Sequence, residues 1–353
     1  GRGDVWAVLA AKPFGIPTSY LTAQAEGLQR IVHSSRLLPA QDLLVLLYER
    51  GPQAGEIRLV DAATRLPHSS FPTTSAPTWL ELADLDADGF DEILVSGIQF
   101  LEAYESDGTP LWTMNSYAAE FRVGQLDADP ALEAVTGIAV IDLATRTVEW
   151  TLPLHSKNWV VEDVDGDGLD ELLALDDLGA LYCIDVDSQS QKWTLPARAR
   201  SGIHVADFDG DGLFELMTAD AAAGAVIIYG ARTGRERLRI PWSGGTVLSM
   251  VAADLGTDGV KELIWTATAF PNSRDGVFIA DLQTSAVIAS SLDLRGPFIG
   301  CAFGDLDGDG DQELVTASEN TSSNQGSRIL AFHWPSMELM AISDPIGTSG
   351  LPV

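Results

Sequence analysis

The chain is built from short apolar runs separated by clusters of Gly, Asp, Ser and Thr. DLLVLL at 42–47 and ELLAL at 171–175 are apolar at nearly every position and too short for helices, which fits strands covered on both faces. Further short strands follow each run, as in GALYCIDVD then QKWTLPA, or GAVIIYGAR then RERLRIPW, with turn residues between them. No stretch carries a well-capped amphipathic helix, so the pattern predicts an all-β chain.

The pattern repeats. DLDADGFDEILV at 84–95, DVDGDGLDELLA at 163–174, DFDGDGLFELMT at 207–218 and DLDGDGDQELVT at 305–316 share one frame. Acids stand at positions 1, 3, 5 and 9, Gly stands at 6, and an apolar strand begins at once. Weaker copies are QLDADPALEAVT from Gln125, with Pro130 at position 6, and DLGTDGVKELIW from Asp254, with Gly256 at position 3. SSRLLPAQDLLV from Ser34 keeps only the acid at 9, Asp42. These position-9 acids fall at 42, 92, 133, 171, 215, 262 and 313, at gaps of 50, 41, 38, 44, 47 and 51 residues. A spacing of roughly 40–50 residues with about four strands per unit is that of β-propeller blades, so residues 1–353 are expected to form a single β-propeller domain.

The D-x-D-x-D-G opening also begins an EF-hand, but that motif needs a bidentate Glu at position 12 and flanking helices. Val95, Ala174, Thr218 and Thr316 occupy position 12 here, and the acid comes at 9 on the lip of a strand. The ligand logic survives without the fold: a tight turn aims the side chains at 1, 3 and 5 inward, and the carboxylate at 9 closes the cage. An all-oxygen, carboxylate-rich cage suits Ca²⁺ better than Mg²⁺. Four Ca²⁺ sites are therefore expected, at Asp84, Asp86, Asp88 and Glu92; at Asp163, Asp165, Asp167 and Glu171; at Asp207, Asp209, Asp211 and Glu215; and at Asp305, Asp307, Asp309 and Glu313. A fifth, at Asp254, Asp258 and Glu262, would need water in place of the ligand that Gly256 removes. Such ions would pin the turns between strands.

The motif D-x-D-G-D-G-x-x-E followed by an apolar strand resembles the FG-GAP/VCBS repeats, the β-propeller units of integrin α-subunit heads and of many secreted bacterial proteins. The resemblance covers nearly the whole chain. It implies Ca²⁺ held by Asp163, Asp165, Asp167 and Glu171 and by the matching residues of the other intact loops. It also implies an exported or surface protein that binds proteins or glycans. GALYCIDVDSQSQKW is in addition similar to quinoprotein-type propeller repeats, a likeness that shared blade packing accounts for.

Charge narrows the partners. Fifty-one acids against 21 bases give a net charge of -30, which argues against a phosphate-binding surface and hence against nucleic acid. No run of 18 apolar residues marks a membrane span, so no direct membrane insertion is expected. Cys183 and Cys301 sit in apolar runs and read as small buried hydrophobes. The five histidines share no metal-binding spacing, and neither a G-x-S-x-G elbow nor a P-loop is present, so no catalytic set emerges and the chain is read as not an enzyme. Trp112, Trp150, Trp193 and Trp242 recur late in successive units and read as interblade packing. The expected function is a calcium-stabilised protein-interaction, scaffold or adhesion module, extracellular, at the cell surface or periplasmic. A glycan-binding lectin is the alternative, and a polysaccharide lyase or quinoprotein stands behind it.

The first residues, GRGDVWAV, fit the loop frame too: Gly1 takes position 6, Asp4 takes position 9, and Val5 to Ala10 become a strand. The Arg-Gly-Asp tripeptide is then the tail of a loop, whose recognition as an adhesion ligand the spacing leaves open. This frame favours eight blades, with GTSGLPV at the C-terminus supplying the missing strand of a split blade, over seven blades and an N-terminal extension.

Overall fold

A computed structural model describes residues 28–49, 55–64, 66–115, 120–196, 202–220, 224–242, 246–256, 260–268, 276–291, 298–304, 312–318 and 328–342. These residues form 28 strands in seven four-stranded sheets, spanning 28–72, 79–115, 121–151, 156–195, 204–241, 246–290 and 298–342. Each sheet is a meander in chain order, with antiparallel pairing as in sheets 1, 2 and 5. There is no helix among the described residues. The expected eighth unit, at 1–27 and 343–353, lies outside them. So do residues 270–275 and 319–327.

Burial follows position within the sheet. Second strands such as Glu92–Gly97 and Glu133–Thr136 are buried at every residue, whereas fourth strands such as Thr147–Thr151 are largely exposed. That gradient is why the second strands read as unbroken apolar runs. The described residues fall into two units, 28–172 with 185–190, and 173–184 with 191–342. Within the first, Leu43, Val45 and Ile57 of sheet 1 pack on Leu80, Ile93 and Val95 of sheet 2, and Trp79 and Leu94 pack on Phe121 and Ala134 of sheet 3. Within the second, Met217 and Ile228 of sheet 5 meet Trp265 and Phe278 of sheet 6, and Ile264 and Ile279 meet Leu314 and Phe332 of sheet 7. Consecutive sheets thus bury each other's faces, the relation between neighbouring blades.

Three of the four recurring tryptophans sit where neighbouring sheets meet. The Trp193 indole N–H donates to the Ala231 carbonyl of sheet 5 at 2.9 Å. Trp242 meets Trp265 and Phe278 edge-on, with ring centroids 5.5 and 4.3 Å away. Trp112 packs into the core shared by sheets 2 and 3. Cys183 is buried, as its apolar run predicts.

A second periodic signal, absent from the loop reading, lies between the third and fourth strands. Asp61, Asp142, Asp185 and Asp281 each close a third strand and accept the backbone N–H of Thr64, Thr145, Ser188 and Thr284 three residues on. The next residue then turns left-handed in three of these hairpins, at Arg146, Gln189 and Ser285, with φ of 61°, 50° and 59°. This is the turn-plus-bulge hairpin. Its bulge appears as a register shift at the end of the third strand, as between Val140 and Ile141 or Ile279 and Ala280.

One close approach makes the sheet-to-sheet spacing testable. A Cβ added to Gly124, in sheet 3, would lie 2.4 Å from both Asp170 Oδ2 and Val161 Cγ1 of sheet 4. Gly124→Ala should therefore destabilise the chain by about 1–3 kcal/mol, the usual cost of overpacking, read as a lowered urea midpoint with an unchanged slope. An unaltered midpoint would show that the two strands separate freely.

Candidate metal centres

The acidic loops join the first and second strands of their sheets, and one interaction recurs in them. The position-9 glutamate accepts the backbone N–H of position 2, seven residues earlier: Glu92 from Leu85 at 2.6 Å, Glu133 from Leu126 at 2.7 Å, Glu171 from Val164 at 3.0 Å, Glu215 from Phe208 at 3.0 Å and Glu262 from Leu255 at 2.9 Å. All five glutamates are buried. Each begins a second strand, so its backbone is held by the sheet while its side chain reaches back and closes the loop.

The position-1 aspartate organises the rest. Asp163 accepts from Gly166 N at 2.7 Å and Gly168 N at 3.0 Å, and Asp207 accepts from Gly210 N at 2.6 Å and Gly212 N at 3.1 Å. Asp84 accepts from Asp88 N at 3.1 Å and Gly89 N at 3.0 Å. The backbone turns left-handed twice, at position 6 (Gly89, Gly168 and Gly212, φ 83–94°) and at position 4 (Gly166 and Gly210, φ 77°; Ala87, φ 61°). Sequence reasoning assigned the reversal to position 6 alone.

This winding brings carboxylate oxygens together. Asp84, Asp86 and Glu92 form a group whose oxygens lie within 4.8 Å of one another, as do Asp163, Asp165 and Glu171, and Asp207, Asp209 and Glu215. The position-5 acids Asp88, Asp167 and Asp211 are not in these groups. Each instead accepts the N–H of position 7, at 2.8–2.9 Å. Three of the four expected acids thus come together in each of these loops, while the carboxylate at position 5 bonds the backbone of the turn. Of the remaining expected ligands, Glu262 and Asp254 lie within the described residues and Glu262 takes the shared bond to position 2, while Asp258, Asp305, Asp307 and Asp309 lie outside them. Glu313 is buried at the head of its strand. The oxygen-only donor sets fit a hard cation such as Ca²⁺.

Two loops already hold a cationic side chain. Arg237, from the fourth strand of sheet 5, binds Glu215 and reaches Asp209 at 3.1 Å and Asp211 at 3.0 Å. Its hydrogen bond holds Asp211 below the usual carboxylate range. Arg36 reaches Asp84 at 3.7 Å and Asp91 at 2.6 Å. Neither partner was legible from loop spacing, because each arginine comes from another segment.

Position 8 links one loop to the loop before it. Asp91 accepts from the Ser34 hydroxyl at 2.9 Å, and its N–H donates to the Arg36 carbonyl at 3.1 Å. Asp170 likewise accepts from Gln125 N at 2.9 Å and donates to Gln125 O at 2.7 Å. Lys261 donates to the Asp207 carbonyl at 2.6 Å. An acid stands at position 8 only where the preceding loop opens with Ser34 or Gln125. After loops that open with Asp84, Asp163 and Asp207, position 8 is Leu132, Phe214 and Lys261. The link therefore avoids placing two carboxylates against each other.

No protein-family model matches the sequence, and no curated protein does. Solved structures do resemble the fold. BamB from Moraxella catarrhalis aligns at 13% identity over 90% of this chain and 88% of that chain, with a TM-score of 0.58. The V. cholerae biofilm matrix protein Bap1 aligns at 12% identity over 90% and 80%, with a TM-score of 0.55. BBS1N, crystallised in complex with ARL6DN, aligns at 14% identity over 83% and 91%, with a TM-score of 0.53. With seven four-stranded meanders, these likenesses establish a β-propeller fold.

Burial, reinforced by neighbouring acids, pushes the Glu92 carboxyl up to about 7 and that of Glu133 up to about 8, against the partial relief of the bonds from Leu85 and Leu126. A carboxyl raised in the folded state binds its proton more tightly there than in the unfolded chain. Its stabilising contribution is complete below the ordinary value of 4.5 and is lost as pH rises through about 7 and 8. The melting temperature of metal-stripped protein should fall between pH 5 and 9, and Glu92→Gln with Glu133→Gln should flatten that fall. A profile that the double substitution leaves unchanged would show that these carboxyls do not govern it.

Proposed function

We propose that the chain is a calcium-stabilised β-propeller of the FG-GAP/VCBS kind that serves as a protein-binding scaffold at the cell surface, in the periplasm or outside the cell. One observation carries the calcium reading: a buried glutamate, oriented by the position-2 N–H, stands with two aspartates in three separate loops. Carboxylates held this close repel one another unless a cation or protons intervene. The exported location rests on the ion, since modest loop sites fill at the millimolar calcium found outside cells, where modules bind at ~10⁻⁴ to 10⁻³ M.

The scaffold reading rests on fold and surface. The turn between second and third strands carries an exposed apolar side chain in three successive sheets, Ile98, Ile138 and Leu178. We take these turns as the place where a partner would sit, since exposed apolar groups that gather into a patch mark interaction sites. BBS1N, of the same fold, was crystallised with a protein partner.

Calcium should raise the melting temperature and EGTA should lower it; a single site held at ten times its Kd contributes about 1.4 kcal/mol. Indifference to both reagents would end the calcium reading. Arg237→Ala should deepen the dependence, because the 207–215 loop then has only the ion to offset its carboxylates. For the scaffold, proteins recovered with the native chain after crosslinking should diminish for an Ile98→Asp/Ile138→Asp variant that melts as the parent does. Equal recovery would place the partner elsewhere.

A further inference from the structure

We propose that sheet 3 holds a divalent-cation site of a different construction, formed by Asp127, Asp129 and Glu149 with the buried carboxylate of Glu133, in a loop that lacks the position-1 acid. The loop at 125–133 opens with Gln125 and has Pro130 in place of the position-6 glycine, so its motif makes it a weaker candidate for an ion than the aspartate-led loops. The structure shows how it closes regardless. Gln125 Nε2 donates to the carbonyls of Asp127 at 2.8 Å and Asp129 at 2.5 Å, drawing the turn together from the opposite polarity to that of the aspartate-led loops.

The acid missing from position 1 is replaced from outside the loop. Glu149, on the fourth strand Thr147–Thr151, brings its carboxylate within 4.8 Å of those of Asp127 and Asp129. A second observation points to a ligand. Glu133 is fully buried, its Oε2 takes the Leu126 N–H, and its Oε1 has no hydrogen-bond partner. Glu133 belongs to the same loop as Asp127 and Asp129, and the charges of Asp127, Glu149 and Asp129 reach its carboxyl. Among the described residues none of the three acids pairs with Lys or Arg, unlike those of the 207–215 loop. Three carboxylates therefore gather within 4.8 Å, with a fourth buried in the same loop, an arrangement a cation stabilises strongly.

The surroundings complete a coordination sphere. A cleft of about 160 Å³, lined in part by Asp127, Glu149, Trp150, Asp187 and Gln189, opens beside the acids. Asp187 Oδ1 accepts the Ala128 N–H at 3.3 Å and fixes the loop against that wall. The cleft has room for the waters that raise four protein oxygens to the 6–8 ligands Ca²⁺ takes. Trp150 on the wall gives a built-in reporter, since an indole beside the site sensitises bound Tb³⁺.

The test uses the full, metal-stripped chain, titrated with Ca²⁺ and separately with Tb³⁺. Glu149→Gln should remove one bound ion per chain or weaken one site at least about ten-fold, and Trp150→Phe should remove the Tb³⁺ emission that depends on Glu149. Asp163→Asn should remove a different ion, and the double variant both. Glu149 is exposed, and matched melting in chelator verifies that its variant folds. If Glu149→Gln binds like the parent while Asp163→Asn loses an ion, this site is refuted and the calcium reading of the repeat loops stands. Loss in Glu149→Gln but not in Asp163→Asn upholds this site and removes that one. A parent chain that binds neither ion overturns both.

Discussion

The bond from a main-chain N–H to the glutamate seven residues later sets most of what surrounds it. It ties the lip of the first strand to the head of the second, so the loop between them has fixed ends and must reverse twice within a few residues. That requirement places left-handed residues at positions 4 and 6 and turns the aspartates at 1 and 3 toward the glutamate. Because the glutamate is buried at the edge of the core, its charge is held where water screens it poorly. Each loop must then be neutralised, and the chain uses several means.

In the 207–215 loop an arginine from the fourth strand does so. At 125–133 the position-1 acid is absent, and an amide closes the turn in its place. The 163–171 loop retains the full acidic frame together with a half-buried Asp170, whose carboxyl is held up by desolvation and by the charge of Asp163. These loops share a backbone while differing in how their charge is met, so repeats that look equivalent in sequence are not equivalent in chemistry.

Much of the fold was legible because its most buried elements carry the plainest signal. Second strands are covered on both faces, read as continuous apolar runs and are announced by an acid at a fixed offset. Fourth strands such as Thr147–Thr151 are exposed and poor in periodicity, so their contributions to the loops stayed hidden. Glu149 and Arg237 both come from such strands, and no local spacing connects them to the acids they join. The position-4 turn was missed because Ala87 occupies it in one loop, against the usual preference for glycine at positive φ. By contrast, the Asp-x-x-Thr or Asp-x-x-Ser closing the third strand was visible in the letters DAAT, DLAT, DVDS and DLQT.

The contacts made through position 8 change what counts as one module of this protein. Asp91 belongs by sequence to one repeat, yet its side chain is fitted to the opening residue of the repeat before it, and the same holds for Asp170 and Lys261. A repeat copied or transplanted alone would carry an eighth residue matched to a neighbour it no longer has. Placed after an aspartate-led loop, the acid of Asp91 would face another carboxylate. The heritable and engineerable unit is therefore staggered against the visible repeat, running from the eighth residue of one loop back to the first of its predecessor. Duplication within such a chain preserves the contacts between loops only when it respects that offset boundary.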